Sequence, residues 1–377
     1  MSRSKNRVVF ALLAIFALTA TMAGPAQAKR KHKPKPNTVK VMTRNLYLGA
    51  DLTPAINAVG PVDFISKNGQ ILRDVDTNNF AARSKGLAKE IKKVSPDLVG
   101  LQEVALWRTG PASLAAPQTG VYTASTVHAD YLADLMGRLN KGKKRYRVVK
   151  VQNEFDFEAP ADYDNDPATG AATLGGEING RLTMRDVILA KVGAGVRTKN
   201  AKSGNYKNIY QPVISGITVN VKRGWLSTDV KVKKSKWFRF VDTHFEAFGE
   251  PQIREAQAKE LLAKGGPLRS GKLPAVLVGD LNSDDKTVTP DDALAYNALK
   301  KGGMVERGVG PKTMTWGVTA GIITAGAPTD WSQRIDHVMT NRPKSVKKLA
   351  AGITGTKPAN GLWDSDHRGV WSKLKMP

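Results

Sequence analysis

Cysteine is absent from this 377-residue chain, and histidine nearly so, with five copies. Without a thiol there is no disulfide, no cysteine nucleophile and no thiolate-ligated zinc or iron–sulfur centre, so packing alone must hold the fold. A chain of this length can bury a core adequate to that. Long hydrophobic runs are missing too: the longest unbroken apolar stretch, Val8–Leu18, has eleven residues, well short of the roughly 20 that span a bilayer. It stands between a basic start (Arg3, Lys5, Arg7) and the small-x-small tripeptide Ala26-Gln27-Ala28, the pattern of a secretory signal cleaved after Ala28. The expected product is a secreted, extracellular chain. It comprises a signal peptide 1–28, a basic Lys/Pro-rich leader 29–37 too polar to pack, and one domain over 38–377. A monomer is expected, since nothing points to a partner protein. Acids are scarce beside bases, 33 Asp+Glu against 58 Lys+Arg, a net charge of +25. Loss of the three basic residues of the signal leaves +22. Such an excess favours polyanionic partners such as nucleic acid, acidic lipid surfaces or cell-wall phosphates.

What is present is an interleaving of strand and helix patterns. Val39, Val41 and Thr43 alternate with Lys40 and Met42, a strand running into Arg44-Asn45. Phe80, Leu87, Ile91 and Val94 recur at helical spacing behind Asn78-Asn79, which predicts a helix over 80–94 stopped by Ser95-Pro96. Leu98–Val104 follows as a buried strand, and a helix is expected at about 129–139. Residues 154–180, rich in Asp, Gly and Ala, read as a surface loop or insertion. Strands are expected at 185–192 and 275–279, and two or three within 214–244 carrying a Lys-rich turn (Lys231, Lys233, Lys234, Lys236). A helix over 252–264 and strands at 335–339 and 369–374 complete the pattern. Helices and hairpins together suit an α/β (α+β) fold of two packed mixed sheets flanked by helices better than a purely parallel sheet.

Acids, amides and histidines stand where the apolar strands end. Asn45 follows KVMTRN, Glu103 closes DLVGLQEV, His244 closes FRFVDTH, and Asp280 and Asn282 close AVLVGDLN. Asp336 opens RIDHVM, and Asp366-His367 precedes RGVW. Strand ends expose side chains to a crevice, and ligands bind there. Glu103, Asp280 and Asp366 with Asn45 and Asn282 offer oxygen donors only, which match a hard divalent cation, Mg²⁺ first, with Mn²⁺ or Ca²⁺ as alternatives. Three of the five histidines, all of them beyond residue 28, lie within these clusters (His244, His337, His367).

The ordered set N-L-Y (45–47), L-Q-E-V (101–104), D-T-H (242–244), G-D-L-N-S (279–283), R-I-D-H-V (334–338) and S-D-H-R (365–368) resembles the motifs of the endonuclease/exonuclease/phosphatase superfamily, over nearly the whole chain beyond the signal. That resemblance implies a DNase I-like, four-layer αββα sandwich and a metal-dependent phosphoesterase that attacks phosphodiesters with water. It also implies roles. Glu103 is matched to the principal metal carboxylate, with Asn45 and Asp366 beside it. Asp280 and Asn282 are matched to the pair that orients water and phosphoryl oxygens, and His244 to a donor to phosphate or leaving oxygen. His367 is matched to the general base, and Asp336 to its partner. Arg185, of Arg185-Asp186, resembles an arginine that touches the substrate backbone. Tyr47 stands where some members carry an acid, which leaves one metal or two open, and His337 has no family role and reads as a packing residue. For substrate, the net charge and the 231–236 turn favour a nuclease-like enzyme. A phospholipase C- or sphingomyelinase-like enzyme with transient membrane-surface contact and an inositol-phosphate phosphatase are the alternatives. A non-catalytic polyanion-binding protein retaining the fold is the alternative of another class.

Overall fold

Apolar residues on alternate positions of one strand are buried on both its faces, and this decides the layering. In the strand Thr38–Asn45, Val39 and Val41 join one hydrophobic cluster while Met42 joins another. In Ala275–Asp280, Val276 and Val278 face the first of these, whereas Ala275 and Leu277 face a third. Strands covered on both faces belong to the middle layers of a sandwich. The computed structural model describes residues 37–377 apart from 167, 170–175, 270, 286–289 and 343; the expected signal peptide, and the expected leader save Asn37, lie outside the described residues.

The two middle layers are an eight-stranded and a six-stranded sheet. The first runs in the order Lys347–Ile353, Val370–Lys375, Thr38–Asn45, Leu98–Gln102, Ile178–Lys191, Leu106–Pro111, Thr126–Asp130, and Tyr146–Ala161 also pairs with Ile178–Lys191. The second runs Val305–Glu306, Asp336–Thr340, Ala275–Asp280, Phe238–His244, Gly224–Val232, Val196–Asn205. Their inner faces meet through Val39, Val41, Ile188, Leu226, Phe240 and Val338. Helices Gly60–Thr77, Phe80–Val94 and Tyr131–Asn140 cover the outside of the first sheet, and Pro251–Leu262 and Leu294–Lys301 the outside of the second. This is the αββα architecture.

Helix Phe80–Val94 begins where the Asn79 side chain accepts a hydrogen bond from Ala82 N at 3.0 Å, and it ends at Ser95 in a left-handed conformation. The expected helix near 129 starts at Tyr131, because Asp130 caps it instead. Helix Gly60–Thr77 has no counterpart in the sequence reading. Gly and Asn break its pattern, yet Gly69 is required there, since a Cβ would lie 1.6 Å from Asp162 O. The reading of 154–180 as a loop is corrected: residues up to Ala161 and from Ile178 belong to two long paired strands. Its Asp- and Gly-rich composition describes only the connection between them.

Two parallel pairs fix where the site forms. Thr38–Asn45 pairs in parallel with Leu98–Gln102, and Phe238–His244 with Ala275–Asp280, each return being made through helices. Both pairs therefore deliver carboxyl-terminal ends to one edge of the sandwich, Asn45 beside Gln102 and His244 beside Asp280. In the antiparallel hairpin, His244 pairs with Gly224 at that edge, and Phe238 pairs with Val230 at the other end. Lys231, Lys233, Lys234 and Lys236 sit at that other end, roughly 20 Å from His244 at about 3.4 Å per residue. The turn thought to draw a polyanion to the site is thus remote from it.

Candidate active site

Three adjacent strands of the six-stranded sheet place His244, Asp280 and Asp336 side by side, through the registers His244↔Asp280 and Asp280↔Asp336. The opposing sheet supplies Asn45, whose Nδ2 donates to Asp280 Oδ2 and to Glu103 Oε1, both at 3.0 Å. One amide thus joins the two sheets at the site. Glu103 Oε2 accepts from Leu48 N at 2.7 Å, and Asp280 Oδ1 accepts from Asn282 N at 2.9 Å. The last motif is held by Arg44, which donates from Nη1 to His367 O at 2.7 Å, and by Ser365 Oγ, which donates to Asn45 O. Buried Arg83 ties this loop to the first motif by donating to Leu46 O, Tyr47 O and Asp364 O.

His367 Nδ1 lies 2.9 Å from Asp336 Oδ2, so Nδ1 carries a proton and Nε2 faces Asp280 Oδ2 at 3.6 Å and Asp366 Oδ1 at 3.9 Å. Burial alone would lower the His367 pKa, but Asp336, Asp366 and Asp280 overcome it and push it up to about 10. At neutral pH His367 is an imidazolium. His244 is the opposite case. Burial, then Arg223 and His367, hold its pKa well below the usual range. Its Nδ1 is 3.2 Å from Arg223 Nη1, and a guanidinium can only donate, so the ring proton sits on Nε2. That Nε2 also lies 3.6 Å from Asp280 Oδ2. Two N–H donors therefore converge on one carboxylate oxygen. Burial first, and Asp336 with it, raise Asp280 to about 7.

Glu103, Asp280, Asn282, Asp366, His244 and His367 line one open pocket together with Tyr47, Arg223 and Trp316. Asn45 and Asp336 stand behind it, bonded to Asp280 and His367. Trp316 Nε1 donates to Asp366 Oδ2 at 3.2 Å, and Asn282 Nδ2 donates to Phe245 O at 2.9 Å. Three site residues, Tyr47, Glu103 and Asn282, have left-handed backbones with φ of 60°, 54° and 42°. Arg185 is not brought here. Its guanidinium donates to Val104 O and Ala105 O and pairs with Asp130 at 2.6 Å, so it is already engaged. The arginine at the pocket is Arg223. His337 packs against Tyr296 and is held between Glu306 and Ser283 O.

The sequence reading also missed a buried acidic group behind His244. Glu154 and Asp186 approach each other closely, and none of their four oxygens meets a donor among the described residues. Burial, and then its neighbour Asp186, raise Glu154 well above the carboxylate range, and burial raises Asp186 to about 8, so the pair retains a proton at neutral pH. Asp242 accepts from Gln102 Nε2 at 2.6 Å. Asp186 stood beside a residue already singled out, whereas Glu154 and Arg223 carry no motif at all.

These shifts fix a pH dependence for the metal-free protein. His367 is raised above its unfolded value, so its stabilisation is full below about 6.5 and is lost as pH rises through about 10. Asp280, Asp366 and Asp186, raised to about 7, 6 and 8, favour the folded state when protonated. Their contribution is lost as pH rises from about 4 toward those values. Both effects have one sign, and His244, held low, opposes them only below about 6.5. Thermal unfolding in EDTA should therefore show a Tm that falls from pH 7 to pH 9, and a Tm that rises over that range would contradict this electrostatic picture.

Residues 68–367 match the family described as "Endonuclease/Exonuclease/phosphatase family". No curated protein matches the chain. Among solved structures, an endonuclease/exonuclease/phosphatase family protein from Bacteroides thetaiotaomicron superposes with a TM-score of 0.53 at 16% identity, over 91% of this chain and 99% of that one. A mannosyl-6-phosphatase of the same organism gives 0.51 at 17% identity, over 89% and 99%. A Beutenbergia cavernae endonuclease/exonuclease/phosphatase gives 0.51 at 18%, over 90% and 72%. At such identities the likeness is one of fold.

Proposed function

Because this chain belongs to the endonuclease/exonuclease/phosphatase family, whose members hydrolyse phosphoesters, we propose that it is a metal-dependent phosphoesterase that directs water onto phosphorus without a covalent enzyme intermediate. The convergence of His244 Nε2 and His367 Nε2 on Asp280 Oδ2, each at 3.6 Å, carries this reading. Two N–H donors beside one carboxylate offer hydrogen bonds to phosphoryl oxygens and a base for water in the same small volume.

The donor set fits a hard divalent cation such as Mg²⁺. Glu103 and Asp366 line the same pocket, and the negative charge of Glu103 helps to raise Asp366 to about 6, after burial. An acid raised in this way by a neighbouring negative charge is relieved by a cation. Glu103, Asp366 and Asn45 Oδ1 would hold it, and it would offset the phosphate's charge as a Lewis acid. Asp280, near pH 7 in its proton affinity, accepts the proton of the attacking water, with Asn282 N fixing its orientation. His367 and His244 donate from Nε2 to the phosphoryl oxygens, where negative charge grows. The role given to His367 by family resemblance thereby changes from base to donor. Asp336, Asp366 and Asp280 around the ring hold its proton well above the ordinary imidazole range, which suits donation from Nε2.

The substrate is a compact phosphoester rather than a long polyanion. Arg223 is the one permanently charged cation lining the pocket among the described residues, and the Lys-rich turn lies at the opposite edge. The mannosyl-6-phosphatase of the same fold, which by its name acts on a compact monoester, agrees with this choice. Bis-p-nitrophenyl phosphate and p-nitrophenyl phosphate should be hydrolysed, and at equal metal and salt faster than duplex or single-stranded DNA. Excess EDTA should abolish the reaction, and Mg²⁺ or Mn²⁺ should restore it. Full activity in EDTA would remove the metal from the proposal, whereas inertness toward every ester would favour the non-catalytic alternative.

A further inference from the structure

Beside the catalytic pocket the chain forms a second, half-open space of about 100 Å³. It lies between helix Gly60–Thr77, which contributes Phe64 and Leu72, and the strands that contribute Phe155, Phe157 and Leu182. Val219 and Val221, after the short hairpin of Val213–Ile214 and Ile217–Thr218, also line it. Asn68, Trp107 and Arg223 bring the polar side chains to the lining, and each has partners, Arg223 Nε being the one buried atom of the three left unmatched among the described residues. Asn68 Nδ2 donates to Pro160 O at 3.2 Å, and Arg223 meets His244 and Glu246. Protein interiors leave few voids larger than a water molecule. An apolar cavity of about 150 Å³ stays dry and accepts benzene. A space of this size and lining therefore takes a small hydrocarbon in preference to water.

Its position says whose hydrocarbon. Leu52, Met184, Arg223 and Phe248 line both this space and the catalytic pocket. Arg223 Nη1 stands 3.2 Å from His244 Nδ1, so the shared boundary is also the edge of the reacting centre. Phe155 and Phe157 stack at 5.8 Å, Phe157 meets Phe64 edge-on at 6.5 Å, and both Phe155 and Phe157 are only half-buried although they face apolar neighbours. Half-buried aromatic rings around an apolar space that shares its wall with a phosphate-handling pocket leave surface for one more apolar group to cover.

Resting on the phosphoesterase reading above, we infer that this cavity is a subsite for an alkyl or aryl group attached to the substrate's phosphorus, directly or through its ester oxygen. It admits about the first four carbons of a chain or a single ring. The site thus selects phosphoesters of apolar alcohols over those of sugars or nucleosides, whose hydroxyls would enter an environment without partners for them.

The test uses alkylphosphonates, which keep the charged group and cannot be hydrolysed at the P–C bond. Methyl-, ethyl-, propyl-, butyl-, hexyl- and phenylphosphonate are titrated calorimetrically into the full chain in Mg²⁺. Kd should fall by about fourfold for each methylene buried, from methyl to butyl, and then level. If the phenyl compound binds more tightly than every alkyl one, the natural group is aryl; if butyl or hexyl binds most tightly, it is aliphatic. Either result supports the subsite. Val219→Trp, which fills the cavity from its lining, should bring the butyl-to-methyl ratio close to one. The wild-type series decides the matter alone should that variant fail to fold. Equal Kd values from methyl to hexyl overturn the subsite and leave the phosphoesterase reading standing. Absence of binding by any phosphonate, together with inertness toward phosphoesters, overturns both.

Discussion

Asp280→Asn is expected to lower kcat by about 10²–10⁴-fold, the range lost with a positioned general base, and to leave KM within a fewfold of its original value. Asparagine keeps the shape of the side chain and can still accept from Asn282 N, so the bond that fixes the following turn survives. What it cannot do is take a proton. The pH profile is the sharper readout. In the parent enzyme kcat/KM should rise through an apparent pKa no higher than the value of about 7 set by burial of Asp280. A bound cation moves that limb downward, because positive charge favours the carboxylate. The variant should lose the limb altogether. Retention of more than a tenth of the parent kcat would mean that another group takes the proton.

His367→Ala should cost about 10²–10³-fold in kcat, as removal of one preorganised donor to a developing oxyanion does. Magnitude alone would not separate a donor from a base, but the limb that disappears does. The parent profile should fall again near or below pH 10 as the imidazolium between Asp336 and Asp280 loses its proton. In His367→Ala the descending limb should vanish while the ascending one persists. Loss of the ascending limb instead would return the base assignment to His367. Asp336→Asn makes an independent check, since it removes the strongest attraction holding that proton and should move the descending limb to lower pH.

The site was legible because strand ends betray themselves in sequence. A run such as Ala275–Gly279 is apolar at every position since both faces of that strand are buried, so an acid after it marks the point where the chain leaves the core. Asn45, Glu103, His244, Asp280, Asp336 and His367 were found in this way, and the structure gathers all six within or behind one pocket. Glu154, Asp186 and Arg223 were not found as a group, because they come from different strands and loops and meet only through the pairing of sheets. Helix Gly60–Thr77 was invisible for a related reason. Its poor helix formers are tolerated because Gly69 lets the helix touch the backbone at Asp162, a tertiary requirement that overrides local preference. Charge named no place. An excess of lysine is a property of the whole surface, and the fold put the 231–236 turn at the edge away from the chemistry.

The left-handed backbones of Tyr47, Glu103 and Asn282 bear on how this enzyme would respond to improvement. A non-glycine residue held in that region costs on the order of 1–2 kcal/mol, and three of them border one pocket. Substitution to glycine would relax the chain locally, at Tyr47 at the cost of a buried aromatic ring, so a screen for heat resistance alone would be drawn to Glu103 and Asn282. Each gain would remove a side chain that faces the reacting centre. Directed evolution of this scaffold therefore needs a turnover step in every round, or it will converge on a sturdier protein with an empty workbench.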